Sequence, residues 1–305
     1  MRSEGNRLVR DGKALTEAFT AIDSFDYSES RDEVVFSAKR DAGFDIGLVA
    51  GDGSKTNWVP ADPADEVQVQ WAPRGNKASY IVRAPLGDVV RTLHIPTSFQ
   101  FAIDFGPASL YALAWDPPGD KYAVAYSTLD QSDKVEVLRY DGTQRRLAVK
   151  AEQKIAADVL SFAPGAYALR PQDLAYNEKV PVVVWLADRF EWSDARASLM
   201  RNARVAVIVT REPDEVLWRT IDESPWLDGT RTWVVDGARA SARETGQERA
   251  GIRPTFIVPD PSVPAGRYRR DDNIVAVAPA AIQSVAAGFI ADQLQRTTLQ
   301  NGSSR

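Results

Sequence analysis

The sequence predicts a β domain joined to an α/β domain, and three observations carry that reading. The first is a repeat. Tyr27-Ser-Glu-Ser-Arg-Asp-Glu-Val-Val-Phe-Ser, Trp71-Ala-Pro-Arg-Gly-Asn-Lys-Ala-Ser-Tyr-Ile and Trp115-Asp-Pro-Pro-Gly-Asp-Lys-Tyr-Ala-Val-Ala start on aromatic residues spaced 44 positions apart. The second is Lys179-Val-Pro-Val-Val-Val-Trp-Leu-Ala-Asp-Arg189, an apolar run that ends abruptly in charge. Such a run reads as a strand covered on both faces, as in a parallel sheet. The third is a change of rhythm: strand patterns alone precede that run, and strands alternate with helical patterns after it.

Each repeat opens with an aromatic residue and a polar turn, followed by an alternating strand. Val34-Val-Phe-Ser, Ala78-Ser-Tyr-Ile-Val and Tyr122-Ala-Val-Ala-Tyr are those strands. A second hairpin follows, marked by Asp52-Gly53 in the first unit and Asp141-Gly142 in the third, because both residue types tolerate positive φ. Pro96-Thr97 takes that place in the middle unit. Four short strands per 44 residues is the period of a propeller blade. The units lie near 20–64, 65–108 and 109–150 within a β domain spanning 1–165, and Phe162-Ala-Pro-Gly-Ala-Tyr reads as a vestigial fourth opening. About three four-stranded blades make an incomplete β-propeller. Tyr27, Trp71 and Trp115 are expected in blade cores, and alternation places His94 opposite Leu93 as a partly exposed structural residue.

Residues 166–296 read as a mainly parallel, three-layer α/β domain. Ala203-Arg-Val-Ala-Val-Ile-Val-Thr, Arg231-Thr-Trp-Val-Val-Asp-Gly, Pro254-Thr-Phe-Ile-Val and Asn273-Ile-Val-Ala-Val-Ala supply further strands. Ser193 or Asp194 caps a helix carrying Ala195, Leu199 and Met200, and a second helix is expected from Pro213. A last helix from Pro279 carries Ile282, Val285, Phe289, Ile290 and Leu294 on one face, and 297–305 reads as a disordered polar tail.

Composition narrows function. A 44% hydrophobic and 26% charged chain is of globular type. A net charge of −5 offers no electrostatic footprint for nucleic acid. No run approaches the roughly 20 apolar residues of a membrane span, and Met1-Arg-Ser-Glu-Gly-Asn has no signal core. The expected location is cytoplasmic as the sequence stands, or periplasmic or envelope if an export signal has been removed. Zero cysteines and one histidine exclude disulfides, thiolate chemistry and His-pair metal sites. No metal or cofactor is expected, and no Gly-x-Gly-x-x-Gly pattern marks a dinucleotide site.

The repeat units resemble blades of TolB-like proteins and of the prolyl oligopeptidase family's propeller. Residues 175–245 resemble that family's α/β-hydrolase domain. The resemblance implies a Pro-led strand, matched by Val180-Pro-Val-Val-Val-Trp-Leu, then an oxyanion loop, where this chain has Ala187-Asp-Arg. It also implies a Gly-x-Ser-x-Gly elbow. Gly237-Ala-Arg-Ala stands there instead, with Arg239 at the nucleophile's position.

A serine nucleophile needs a neighbouring base, normally histidine. No histidine follows His94 and no lysine follows Lys179. Ser241 beside Asp236 is thus the catalytic alternative, lacking a base that titrates near neutrality. Pro259–Asp272 is expected as an irregular surface loop in which Arg267, Tyr268, Arg269 and Arg270, with Arg239, are the binding candidates. The leading expectation is a non-catalytic protein-binding or scaffolding protein that takes a protein partner or self-associates. The alternatives are a divergent serine hydrolase or peptidase of the prolyl oligopeptidase type, and an envelope or carbohydrate binder.

Overall fold

The computed structural model describes residues 1–41, 43–175, 177–236, 255–259, 263, 268–271, 274–277, 285–286 and 288–294. The chain divides into two compact units. Met1–Thr128 with Asp133–Ala151 form one, and Leu129–Ser132 with Glu152–Arg305 form the other.

The first unit holds three four-stranded antiparallel sheets in a propeller-like arrangement. They comprise β4 (Ile22–Ser28), β5 (Glu33–Lys39), β6 (Phe44–Ala50) and β7 (Thr56–Trp58); β8 (Glu66–Trp71), β9 (Lys77–Val82), β10 (Val89–His94) and β11 (Phe99–Asp104); and β12 (Ala108–Trp115), β13 (Lys121–Thr128), β14 (Lys134–Arg139) and β15 (Arg146–Val149). Gly53 and Gly142 adopt φ of +73° and +83° inside loops longer than two residues. In the middle sheet Ser98 takes the left-handed conformation after Pro96-Thr97, which is how that hairpin closes without glycine.

Alternation sorts the faces. Val35, Ile46 and Leu48 of the first sheet cluster with Val69, Trp71, Tyr80 and Leu93 of the second. Val67, Ile81, Val90 and Ile103 of the second cluster with Leu110, Leu113, Tyr122, Val124, Tyr126 and Leu138 of the third. The free face of the first sheet, with Val34, Phe36 and Val49, is closed by Leu8 and Leu15. Those leucines come from a small N-terminal sheet of β1 (Arg2–Glu4), β2 (Arg7–Arg10) and β3 (Lys13–Ala14) and the residue after it. On the third sheet, Ala112, Ala114 and Val149 are exposed.

Hydrogen bonds tie neighbouring sheets at their first strands. In β8 the pairing with β9 shifts between Val67 and Gln70, and Gln68 sits at φ +55°. The backbone N–H groups of Gln68, Val69 and Trp71 donate to Asp23 Oδ2, Ser24 Oγ and Asp26 Oδ2 of β4, at 2.7, 2.9 and 2.9 Å. One junction on, Leu110 N–H donates to Asp88 Oδ2 at 2.9 Å, and Arg83 pairs with Asp88 while donating to the Leu110 carbonyl.

The second unit is built on an eight-stranded sheet, ordered β16-β17-β19-β18-β20-β21-β23-β22. Its strands are β16 (Ala157–Ala163), β17 (Ala166–Pro171), β18 (Val180–Leu186), β19 (Ala206–Thr210), β20 (Leu227–Asp236), β21 (Thr255–Pro259), β22 (Tyr268–Asp271) and β23 (Ile274–Val277). β18 pairs in parallel with β19 and β20, and β20–β21 and β21–β23 are parallel too. Every residue of β18 is buried. Pro181 is tolerated there because the register with β20 shifts between it and Val182, where the missing N–H breaks no regular ladder.

Helix α1 (Asp194–Ala203) and Phe289 and Ile290 of the helical residues 288–294 share a cluster with Val183, Trp185, Val207 and Val235. Leu217 and Ile221 of helix α2 (Glu215–Glu223) join Val182, Val184, Ile208 and Val234 of the opposite parity. Ser193 caps α1, its hydroxyl accepting from Arg196 N–H.

Three expectations are corrected. Phe162-Ala-Pro-Gly-Ala-Tyr opens no fourth blade. It is the turn of the β16–β17 hairpin, because β17 pairs antiparallel with β19 and so extends the second unit's sheet. Helix α2 starts after Pro213, with Asp214 as its cap accepting from Leu217 N–H at 2.7 Å. Pro259–Asp272 is not irregular throughout: Pro259 ends β21 and Tyr268–Asp271 forms an edge strand laddered to β23. The elbow 237–240, the start of the last helix at Pro279 and the 297–305 tail lie outside the described residues.

The repeat aromatics differ in burial. Trp71 is 6% exposed, whereas Trp115 and Tyr27 are half-buried, the latter with its hydroxyl on Asp32 at 2.7 Å. Trp71→Ala is therefore expected to destabilise by about 3–5 kcal/mol, and Trp115→Ala by clearly less. Denaturant melts check this, and equal losses would refute the ranking.

Candidate functional site

In open α/β sheets, ligands bind beyond the carboxyl ends of the parallel strands. Here the register sets those ends level: Leu186 of β18 lies opposite Thr210 of β19 on one side and Asp236 of β20 on the other. Thr210 is buried, and its hydroxyl oxygen lies 3.0 Å from the Glu212 carbonyl and 3.3 Å from that of Gly165. It also accepts from Glu212 N–H, and Ala187 N–H donates to the Thr210 carbonyl, so the chain leaves both strands in a fixed direction. Asp236 is 3% exposed at the end of β20.

Of the residues that the sequence singled out, Asp236 stands at this end. Ser241, Arg239 and Arg267 lie outside the described residues. Tyr268, Arg269 and Arg270 are on β22, three strands from β20 and hence about 14 Å away along the sheet. His94 belongs to the first unit, where its Nδ1 lies 2.8 Å from Thr97 Oγ1.

Of the buried ionisable groups that the sequence reading did not single out, two matter most. Arg196 in α1 is one: its position three and four residues before Leu199 and Met200 puts it on their apolar stripe, a signal visible in the sequence. Glu66, fully buried between the first two sheets, is the other. Its Oε2 accepts from Ile46 N–H at 3.2 Å, while Oε1 has no hydrogen-bond partner and lies 3.8 Å from Arg91. Arg91 is engaged with Asp62 at 2.5 Å. Burial pushes the Glu66 carboxyl up to about 7, against the pull of the Ile46 N–H and Arg91. It also raises the nearby Tyr80 hydroxyl. A carboxyl poised near neutrality suits acid–base chemistry. Glu66 has no exposed surface, however, so its protonation acts on stability instead.

Among the described residues no group of His, Asp and Glu is placed to hold a metal, and no helix is long and apolar enough to cross a membrane.

Solved structures share this fold. The chain is similar to dipeptidyl peptidase 4 of Porphyromonas gingivalis, with TM-score 0.53 and 12% identity over 78% of this chain and 42% of that one. It is similar to a structure from a mechanistic study of two prolyl endopeptidases, with TM-score 0.55 and 10% identity over 82% and 44%. A putative dipeptidyl aminopeptidase IV of Bacteroides ovatus gives 0.51 and 10% over 77% and 43%. This chain thus spans less than half the length of each. At such identities the likeness is one of fold. No family model and no curated protein matches the sequence.

The Glu66 carboxyl gives a pH prediction. Its folded pKa is raised above the ordinary 4.5, so its stability contribution is complete below about 4.5 and is lost as pH rises through about 7. Glu66→Gln is expected to remove that loss, gaining on the order of 3 kcal/mol over wild type at pH 8 and little at pH 5. Urea melts at both pH values test it. A gain equal at the two would remove the titration from the explanation.

Proposed function

We propose that the chain works without catalysis, as a protein-binding or scaffolding protein whose blades and inactive hydrolase-like domain present surfaces to a protein partner or a second copy. The histidine census carries this reading. The chain's one histidine, His94, lies in the first unit, and no lysine follows Lys179. The sequence that follows Lys179 therefore supplies neither histidine nor lysine to activate a hydroxyl near neutrality. Gly237-Ala-Arg-Ala, where the resembled family carries its elbow serine, supports the same conclusion.

Association is supported by the surface. Phe99 on β11 and Leu147 and Val149 on β15 are exposed, and both strands end their sheets. Apolar side chains on sheet edges are surfaces that proteins normally cover. At the edge of the eight-stranded sheet, Tyr268–Asp271 offers a backbone ladder with arginines in its sequence, suited to an interface rim.

The second reading is a divergent serine hydrolase or peptidase, favoured by the peptidases among the similar structures. The two separate cleanly. The purified chain is expected to hydrolyse neither generic esters nor peptides and to leave Ser241 unlabelled by a fluorophosphonate. Activity that disappears in Ser241→Ala would establish the enzyme. Light scattering at micromolar concentration is expected to show a mass above that of one chain, or affinity capture to retain a specific protein. A strictly monomeric mass with an empty capture would sink the association.

A further inference from the structure

Arg196 stands against the physics of burial. A guanidinium carries five N–H donors and keeps its charge in proteins. Enclosing one without a counter-charge is costly unless its hydrogen bonds are met. Arg196 is 2% exposed, yet among the described residues its side chain makes one hydrogen bond, from Nη2 to the Glu191 carbonyl. Its Nε has no partner. The Glu191 carboxylate, 44% exposed, lies 3.9 Å from Arg189 and reaches Arg196 only through space. Two less buried arginines have a carboxylate partner that Arg196 lacks: Arg83 holds Asp88 and Arg91 holds Asp62. Burial lowers the Arg196 pKa to about 10, which leaves it a cation at neutral pH.

Its surroundings suit an anion. Arg196 is the third residue of the ten-residue helix α1, so the helix dipole adds positive potential at that end. The guanidinium lies over the Trp185 ring, 5.8 Å from its centroid, and Trp185 is one residue from the end of β18. The intervening loop is exposed at Asp188 and partly exposed at Arg189 and Glu191, so its outer side meets solvent.

We infer that Arg196 anchors a binding site for an oxyanion, a carboxylate or phosphate group, at the carboxyl end of β18. The unpartnered Nε edge supplies the binding chemistry. Nε–H and an Nη–H form a side-on fork that matches two oxygens of such a group, which a lysine cannot reproduce. Trp185 flanks the guanidinium that carries that fork. The site takes the charged group of a small molecule or side chain and completes the hydrogen bonding that the fold leaves open. This inference rests on Arg196 and stands apart from the question of catalysis, since fluorophosphonate labelling neither supports nor weakens it.

Thermal melts of the whole chain test it, in sodium phosphate and in sodium acetate, each against sodium chloride at matched ionic strength. One or both oxyanions are expected to raise Tm above the chloride value, and the responding arm tells phosphate from carboxylate. Arg196→Met should abolish the rise, and Arg196→Lys should weaken the apparent affinity about tenfold or more. No rise over chloride in either salt, or the same rise in Arg196→Met, overturns the site. Should Arg196→Met fail to melt cooperatively, the Arg196 Nε–H resonance of the wild type decides. It is expected to shift and saturate as the anion is added, and an unmoved resonance refutes binding.

Discussion

The bonds from β4 to β8 are the constraint on which the first unit depends. A sheet's first strand has one row of backbone groups with no partner in its own sheet, and leaving them dry and unbonded is costly. This chain meets the row with side chains. Asp23, Ser24 and Asp26 accept the N–H groups of Gln68, Val69 and Trp71, each exactly one repeat and one residue downstream. Those contacts bring the first sheet against the second, and the buried cluster around Trp71 and Tyr80 follows from that approach. The price is Glu66, which the same approach encloses with one oxygen unsatisfied.

The second unit depends on a different economy. Its central strand is apolar on both faces, so helical residues must cover both, and Val183 and Val184 report to different clusters although adjacent in sequence. With side chains on both faces of β18 committed to packing, chemistry is displaced to the strand's end. There the chain carries Ala187, Asp188 and Arg189, then the loop that leads into the first turn of α1, which holds Arg196.

Much of this is legible in the sequence. The 44-residue spacing located three four-stranded sheets because each blade repeats one turn and one alternating strand. The Val180–Leu186 run was recognisable because burial on both faces leaves no polar position. Glu66 was hidden for a definite reason. In a regular strand Glu66, Gln68 and Gln70 share a polar face and Val67, Val69 and Trp71 an apolar one. The irregularity at Gln68 breaks that rule, so Val67 joins one cluster while Val69 and Trp71 join another. A bulge created by side chains 45 residues away leaves no local mark. Tyr268–Asp271 escaped for a related reason: its strand state comes from pairing with β23, while prolines and charges dominate the local sequence.

The N-terminal sheet has a consequence for how the protein is made. Every apolar residue of the cluster that closes the first blade, from Leu8 to Trp58, lies within the first 58 positions. Both sides of that sandwich therefore lie close together in sequence, and such local contacts form fast. That core can close before the next repeat is synthesised, leaving an edge on which the following strands dock in the order of synthesis.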